Sequence, residues 1–231
     1  MKDQLRTIAA SYDETIEAGK KGINPYANLP EHITGHPDYP AFAQIMEAGS
    51  GSDSCRQEIK GFLMPESGMH FVDLGCCLNL MFNGYDTWPS TYYGVDISEK
   101  TIGLLEQVVS KRDLSVGSLV CGSIHETPFD NNFFDIAACI GTLEYFQEDF
   151  VRAAIKEMTR IMKPGGRLVL DVPNLQSPLF EINRLIEAHL GRPDTFDMTR
   201  KAFEALLVED LQIVRSDEVV GMIQYFLVKK G

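Results

Sequence analysis

Phe71-Val72-Asp73-Leu74-Gly75-Cys76-Cys77-Leu78-Asn79 decides the fold. A short apolar run ends on a carboxylate and turns at a glycine. About twenty residues on, Tyr92-Tyr93-Gly94-Val95-Asp96 repeats the pattern of an apolar run closing on an acid. A strand, a glycine turn, a helix and a second strand ending on an acid make half of a nucleotide-binding βαβ unit. The second acid stands where a ribose hydroxyl pair needs an acceptor.

Outward from this stretch the same alternation continues. Strand-like runs are read at His70–Leu74, Thr91–Ile97, Ser118–Cys121, Phe134–Ile140 and Arg167–Val172. Ser98 is placed to cap a helix running to about Ser110. Phe150, Ala154, Met158 and Ile161 form one helical stripe, which Pro164-Gly165-Gly166 terminates. Alternating strands and helices predict a mostly parallel sheet covered on both faces. Its ligand then lies at the carboxyl ends of the strands. Downstream, helices are expected at about 178–190 and from Thr199 to Leu207, with a polar loop from Gly191 to Met198 between them. The runs Leu211–Arg215 and Gly221–Val228 close the chain as an antiparallel hairpin on the sheet edge.

The first 65 or so residues lack strand periodicity. Leu5, Ile8, Ala9, Tyr12 and Ile16 predict an amphipathic helix. A Pro- and Gly-rich tract with His32 and His36 follows, then a short helix at 41–47. Gly49-Ser50-Gly51-Ser52-Asp53-Ser54 reads as a flexible joint leading into a helix at 55–63. The expected organisation is a helical cap over residues 1–65 and a sheet domain over 66–231, with the two histidines on surface loops.

The chain has 231 residues, is 44% hydrophobic and carries a formal net charge of -12. That length suits one domain with a full core. The acidic balance disfavours nucleic acid as a partner. No apolar run is long enough to span a bilayer, and Met1–Ala10 lacks a signal-peptide core. A cytoplasmic protein is expected. Its five cysteines are odd in number and show no CxxC spacing, so neither a disulfide framework nor a metal site is expected.

The first turn bears on the ligand. A dinucleotide site wants G-x-G-x-x-G so that backbone approaches a pyrophosphate. Here only Gly75 is present, with Cys77 and Asn79 where further glycines would stand. This argues against a nicotinamide-dependent oxidoreductase and leaves a nucleoside without phosphates. Val72-Asp73-Leu74-Gly75, Gly94-Val95-Asp96-Ile97, Cys121-Gly122-Ser123-Ile124, Phe134-Asp135-Ile136, Gly141-Thr142-Leu143-Glu144-Tyr145 and the strand after Lys163-Pro164-Gly165-Gly166 come in a familiar order. Together they resemble the class I S-adenosylmethionine-dependent methyltransferases, over about residues 69 to 228.

The resemblance implies a Rossmann-like, doubly wound, seven-stranded α/β sheet with an N-terminal helical cap. It implies S-adenosylmethionine as cofactor and methyl transfer to a small-molecule acceptor, with no membrane partner. Asp73, Gly75, Cys76 and Cys77 would form the first cofactor loop. Asp96 would hold the ribose, Ile97 would pack on the adenine, and Ser123 and Ile124 would border its edge. Cys139 and Ile140 would lie beneath the sulfonium, with Glu144 and Tyr145 facing the acceptor as candidate catalytic groups. Tyr12 and Tyr26 are candidates to close over the site. Two departures from the family pattern stand out. Cys77 adds a side chain where the family has glycine, whereas Asn79 tolerates the left-handed backbone of the glycine it replaces. Ser123 lacks the charge of the acid common at its position. Both keep open an alternative, a non-catalytic nucleoside-binding module. A thiolate site built from Cys76 and Cys77 with Cys121 or Cys139 is a further alternative.

Overall fold

The structure is a computed structural model that describes residues 2–49, 57–219 and 221–231. Seven strands form one sheet in the order β3-β2-β1-β4-β5-β7-β6. They are β1 (His70–Leu74), β2 (Thr91–Asp96), β3 (Val116–Cys121), β4 (Phe134–Cys139), β5 (Met162–Pro173), β6 (Leu211–Val219) and β7 (Met222–Lys229). Only β7 runs antiparallel to its neighbours, β5 and β6. The chain thus returns from edge strand β6 to insert β7 beside β5. The expected seven-stranded, mostly parallel sheet with its closing hairpin is what the fold contains.

The central strands are apolar because both their faces are covered. Phe71, Ile136, Ala138 and Val169 face one cluster, under α4 (Gln57–Leu63) and α6 (Glu99–Arg112). Val72, Leu74, Ala137, Cys139 and Leu168 face the other, under α7 (Glu148–Ile161). All four residues of the predicted α7 stripe are buried there. Ser98 Oγ accepts from Thr101 N at 3.0 Å and Thr199 Oγ1 from Ala202 N at 3.3 Å. Both predicted caps therefore form, the second on α9 (Arg200–Leu207). At the end of α7 the β4–β5 register jumps from Phe134–Met162 to Ile136–Arg167. The proline and glycines are accommodated as a bulge inside the strand pair rather than before it.

Upstream lie α1 (Lys2–Lys20), α2 (Glu31–Thr34) and α3 (Tyr39–Gly49). Ile8 of α1 is buried in the α7-side cluster. Ile33 of α2 packs instead with Ile182 and Ile186 of α8 (Phe180–His189). His32 is exposed and His36 half-buried. The joint expected around Gly49–Ser54 lies, after Gly49, outside the described residues.

Candidate active site

The loops leaving β1, β2, β3 and β4 converge at the carboxyl edge of the sheet around a cavity of about 260 Å³. The first loop is pinned to the second strand: Gly75 N and Cys76 N both donate to Val95 O at 2.9 Å. Gly75 takes φ +76°, and a Cβ there would lie 2.1 Å from Thr142 Oγ1. Glycine is needed at this position both for its backbone angle and for the approach of the β4 loop.

Two residues on, Cys77 is also left-handed, at φ +38°. Its N–H donates to Asp96 Oδ2 at 2.8 Å, while Ser98 N donates to Oδ1 at 2.9 Å. The left-handed backbone expected at Asn79 is therefore at Cys77, and Asn79 opens the short helix α5 (Asn79–Phe82). The conformation that aims the Cys77 N–H at Asp96 would suit glycine better, and its side chain lines the cavity. Cys77→Gly is expected to change stability by no more than about 1 kcal/mol, since relief of left-handed strain offsets the added backbone entropy of the unfolded chain. It should bind S-adenosylmethionine at least as tightly as wild type in calorimetry. A large loss of affinity in a folded variant would instead make the thiol a working part of the site.

Ile97, Ser123, Ile124 and Ile140 complete the sheet side of the cavity. Ser123 Oγ lies 2.6 Å from His125 Nδ1, and the His125 ring sits on Phe150. Asp73, Cys76 and Cys139 are fully buried and do not reach the cavity. Asp73 accepts from Tyr92 Oη at 3.0 Å, and burial raises its pKa to about 8. Cys76 and Cys139 belong to clusters on opposite faces of the sheet, each thiol pushed up by burial. Burial also raises Asp96, though the N–H groups of Ser98 and Cys77 hold it back. Among the described residues no cluster of His, Cys, Asp and Glu is placed to hold a metal ion.

The opposite wall comes from α1. Leu5, Ile8 and Tyr12 line the cavity across from Tyr145, which lies in the 3₁₀ turn 143–145 after β4. Tyr12 Oη and Tyr145 Oη are 2.9 Å apart. Tyr145 Oη donates to Glu187 Oε2 at 3.2 Å, and Arg192 Nε donates to the same oxygen at 2.6 Å. Arg192 is 3% exposed. Its guanidinium lies 4.5 Å from the Tyr12 ring centroid and also donates to Ser11, Thr15 and Tyr26. Tyr26 thus braces this network and does not line the cavity. Glu144 sits behind the wall, with Oε2 buried and without a hydrogen-bond partner. Burial, reinforced by the nearby Asp171, raises its pKa well above the carboxylate range.

Arg192 and Glu187 are the groups that sequence reading misses. Gly191–Met198 reads as a polar loop, yet Arg192, Asp194, Phe196 and Met198 are all buried. Thr195 N and Phe196 N donate to Glu144 O at 2.9 and 3.0 Å, so this loop is packed against the Glu144–Tyr145 turn. Two of these four alternating positions, Arg192 and Asp194, are charged, so their inward pattern left no hydrophobic signal in the sequence.

These residues fit an adenosine-type group. Each Asp96 oxygen spends one acceptor site on a backbone N–H and keeps another for a hydroxyl. Ile97 and Ile124 supply apolar lining to the same cavity, and Gly75 lines it without a side chain. Comparison with known proteins agrees. A family described as a methyltransferase domain matches residues 72–170. The chain is 35% identical over 77 residues to a demethylmenaquinone methyltransferase of Bacillus mycoides, covering 33% of this chain and 32% of that one. It is 28% identical over 107 residues to a ubiquinone biosynthesis O-methyltransferase of Coxiella burnetii, covering 46% and 44%. The chain therefore spans less than half the length of these curated relatives. A geranyl diphosphate C-methyltransferase from Streptomyces coelicolor, solved with S-adenosyl-L-homocysteine, superposes with a TM-score of 0.62 at 15% identity, over 85% of this chain and 86% of that one. The class I likeness read from the sequence holds in both domain and fold. No helix among the described residues is long and apolar enough to cross a membrane.

Proposed function

We propose that this chain, whose residues 72–170 match a methyltransferase domain, transfers a methyl group from S-adenosylmethionine to a small-molecule acceptor. The observation that carries the reading is Asp96. It is a carboxylate at the end of β2, held by two backbone N–H groups and lining a cavity at the carboxyl edge of the sheet. In this reading Asp96 receives the ribose hydroxyls. Ile97 and Ile124 flank the adenine and Ser123 meets its edge. Gly75 and Cys77 form the loop beside the methionine moiety, supported from behind by Asp73 and Cys76. Ile140 and Gly141 lie under the reacting end, with Cys139 packed beneath them. Tyr145 and Glu144 mark the acceptor side, and the N-terminal helices act as a cap through α1.

The bound cofactor supplies an electrophilic methyl on a sulfonium. The protein's part is alignment and exclusion of water. Leu5, Ile8 and Phe146 give the cavity an apolar wall suited to that task.

Asp96→Ala is the test. Losing hydrogen bonds to a charged acceptor costs roughly 1.5–3 kcal/mol, so affinity for S-adenosylhomocysteine should fall about ten- to a hundredfold in calorimetry. An unchanged affinity removes Asp96 from the site. The position of Glu144, behind the wall with Oε2 buried and unpartnered, favours a second reading in which the domain binds the nucleoside without turning over. Methyl transfer to any acceptor in a turnover assay excludes that reading.

A further inference from the structure

The two tyrosines across the cavity have a fixed polarity. Tyr145 owns one hydroxyl proton. Glu187 is held by the Arg192 guanidinium at 2.6 Å, and a carboxylate only accepts, so Tyr145 donates to it. Tyr145 must then accept from Tyr12, 2.9 Å away, and Tyr12 spends its own proton in that bond. Both rings line the cavity, and Tyr12 is the less buried of the two. The hydroxyl that Tyr12 presents to an occupant is left with lone pairs and no proton to give. Arg192 enforces this direction, because a guanidinium cannot become an acceptor. The polarity therefore originates about three residues deep and reaches the cavity through a single file of hydroxyls.

We propose that Tyr12, Tyr145 and Glu187 form a one-way hydrogen-bond chain that selects an acceptor bearing a hydroxyl and carries off its proton. The proposal rests on the methyl-transfer reading and names the acceptor class within it. The acceptor's O–H donates to Tyr12 Oη. When that proton leaves, it passes to Tyr12 as the Tyr12 proton passes to Tyr145 and the Tyr145 proton to Glu187. One proton has moved, both tyrosines are again neutral, and the Glu187 carboxylate has become a carboxylic acid. An acceptor whose oxygen is already capped offers only lone pairs to lone pairs and is rejected. Tyr12 is the catalytic residue of this chain; Tyr145, Glu187 and Arg192 act through it.

Matched pairs test the polarity by binding alone. Phenol against anisole, and catechol against veratrole, are titrated by ligand-observed NMR into protein saturated with S-adenosylhomocysteine. The hydroxyl members are expected to bind about tenfold more tightly than their methyl ethers. Tyr12→Phe should abolish the preference. Tyr145→Phe should also bring it close to parity, but by a gain of the ethers, since Tyr12 regains a proton to donate. A merely structural role for Tyr145 would weaken both members equally. The proposal is overturned if the hydroxyl members bind no better than the ethers in wild type, absence of binding by either included, or if the preference survives both substitutions. The nucleoside is titrated separately. Failure of S-adenosylhomocysteine to bind overturns the methyl-transfer reading instead, and the same pairs on the unloaded protein still decide the polarity.

Discussion

Replacing Arg192 by methionine is expected to destabilise the protein by about 3–5 kcal/mol, the cost of leaving a buried charge without its partner. Arg192 has a side chain only 4% exposed, paired with a Glu187 side chain that is 21% exposed. Its removal strands the carboxylate and leaves Tyr26, Ser11 and Thr15 without a donor they now share. It also removes a desolvated cation from the Tyr12 face. Burial opposes the guanidinium charge, but Glu187 together with Tyr12, Tyr145 and Tyr26 outweighs it, and the pKa of Arg192 is raised rather than lowered. The double variant Arg192→Met with Glu187→Met removes both charges at similar volume and should recover much of the loss, a coupling that urea unfolding of the four species measures. Additive single losses would mean that the pair is not coupled. Arg192→Lys should fall between, because one ammonium cannot reach partners on α1, on α8 and at Tyr26 together.

The second expected result is a stability that falls from the mildly acidic range toward neutrality, with no maximum at neutral pH. Asp73 holds its proton up to about 8 and Asp194 up to about 6, both because burial penalises the charge. Asp96 and Glu144 are raised for the same reason. An unfolded aspartate titrates near 3.8. Between the unfolded and folded values the native state binds more protons than the unfolded chain, so stability falls as pH rises through this window. The opposite sign belongs to Asp135 and Glu157. Burial raises both, but Lys163 with the His70 N–H, and Arg160 with the Thr127 hydroxyl and N–H, together hold them below the usual range, so their contribution disappears only in stronger acid. Asp73→Asn keeps a carbonyl oxygen for the Tyr92 hydroxyl and removes the titration. Its stability relative to wild type should improve by up to about 1.4 kcal/mol for each pH unit between about 4 and 8. Urea midpoints at about pH 4, 6 and 8, the ends and middle of that window, give the slope. Parallel curves for the two proteins would show that Asp73 is ionised in the fold.

Much of this molecule is local and therefore legible in one dimension. The strand runs, the stripe of α7, the caps at Ser98 and Thr199, and the acids closing β1 and β2 depend on neighbours a few residues away. Side-chain periodicity and capping chemistry make them readable within a short window of sequence. Gly75 and Asp96 follow in the same way, since a strand-ending turn places both at the carboxyl edge of a parallel sheet. The backbone at Cys77 was not legible. Both Cys77 and Asn79 stand at glycine positions, and only the hydrogen bond from Cys77 N to Asp96 decides which of them bends to the left.

The α1 side of the cavity was set by contacts between segments far apart in the chain. Tyr12 meets Tyr145 across 133 positions, Gln4 reaches the Tyr145 carbonyl across 141, and Ser11 and Arg192 meet across 181. Nothing in the sequence near Arg192 distinguishes a solvated loop cation from one closed over by α1, because burial of a charge is set by what packs on it and not by its neighbours in the chain. The order of strands and helices and the sheet side of the cavity could be read from local pattern. Which residues face that side from across the cavity was determined by the docking of α1 and the 191–198 loop onto the turn after β4, since partners so distant in the chain are brought together only when the core closes.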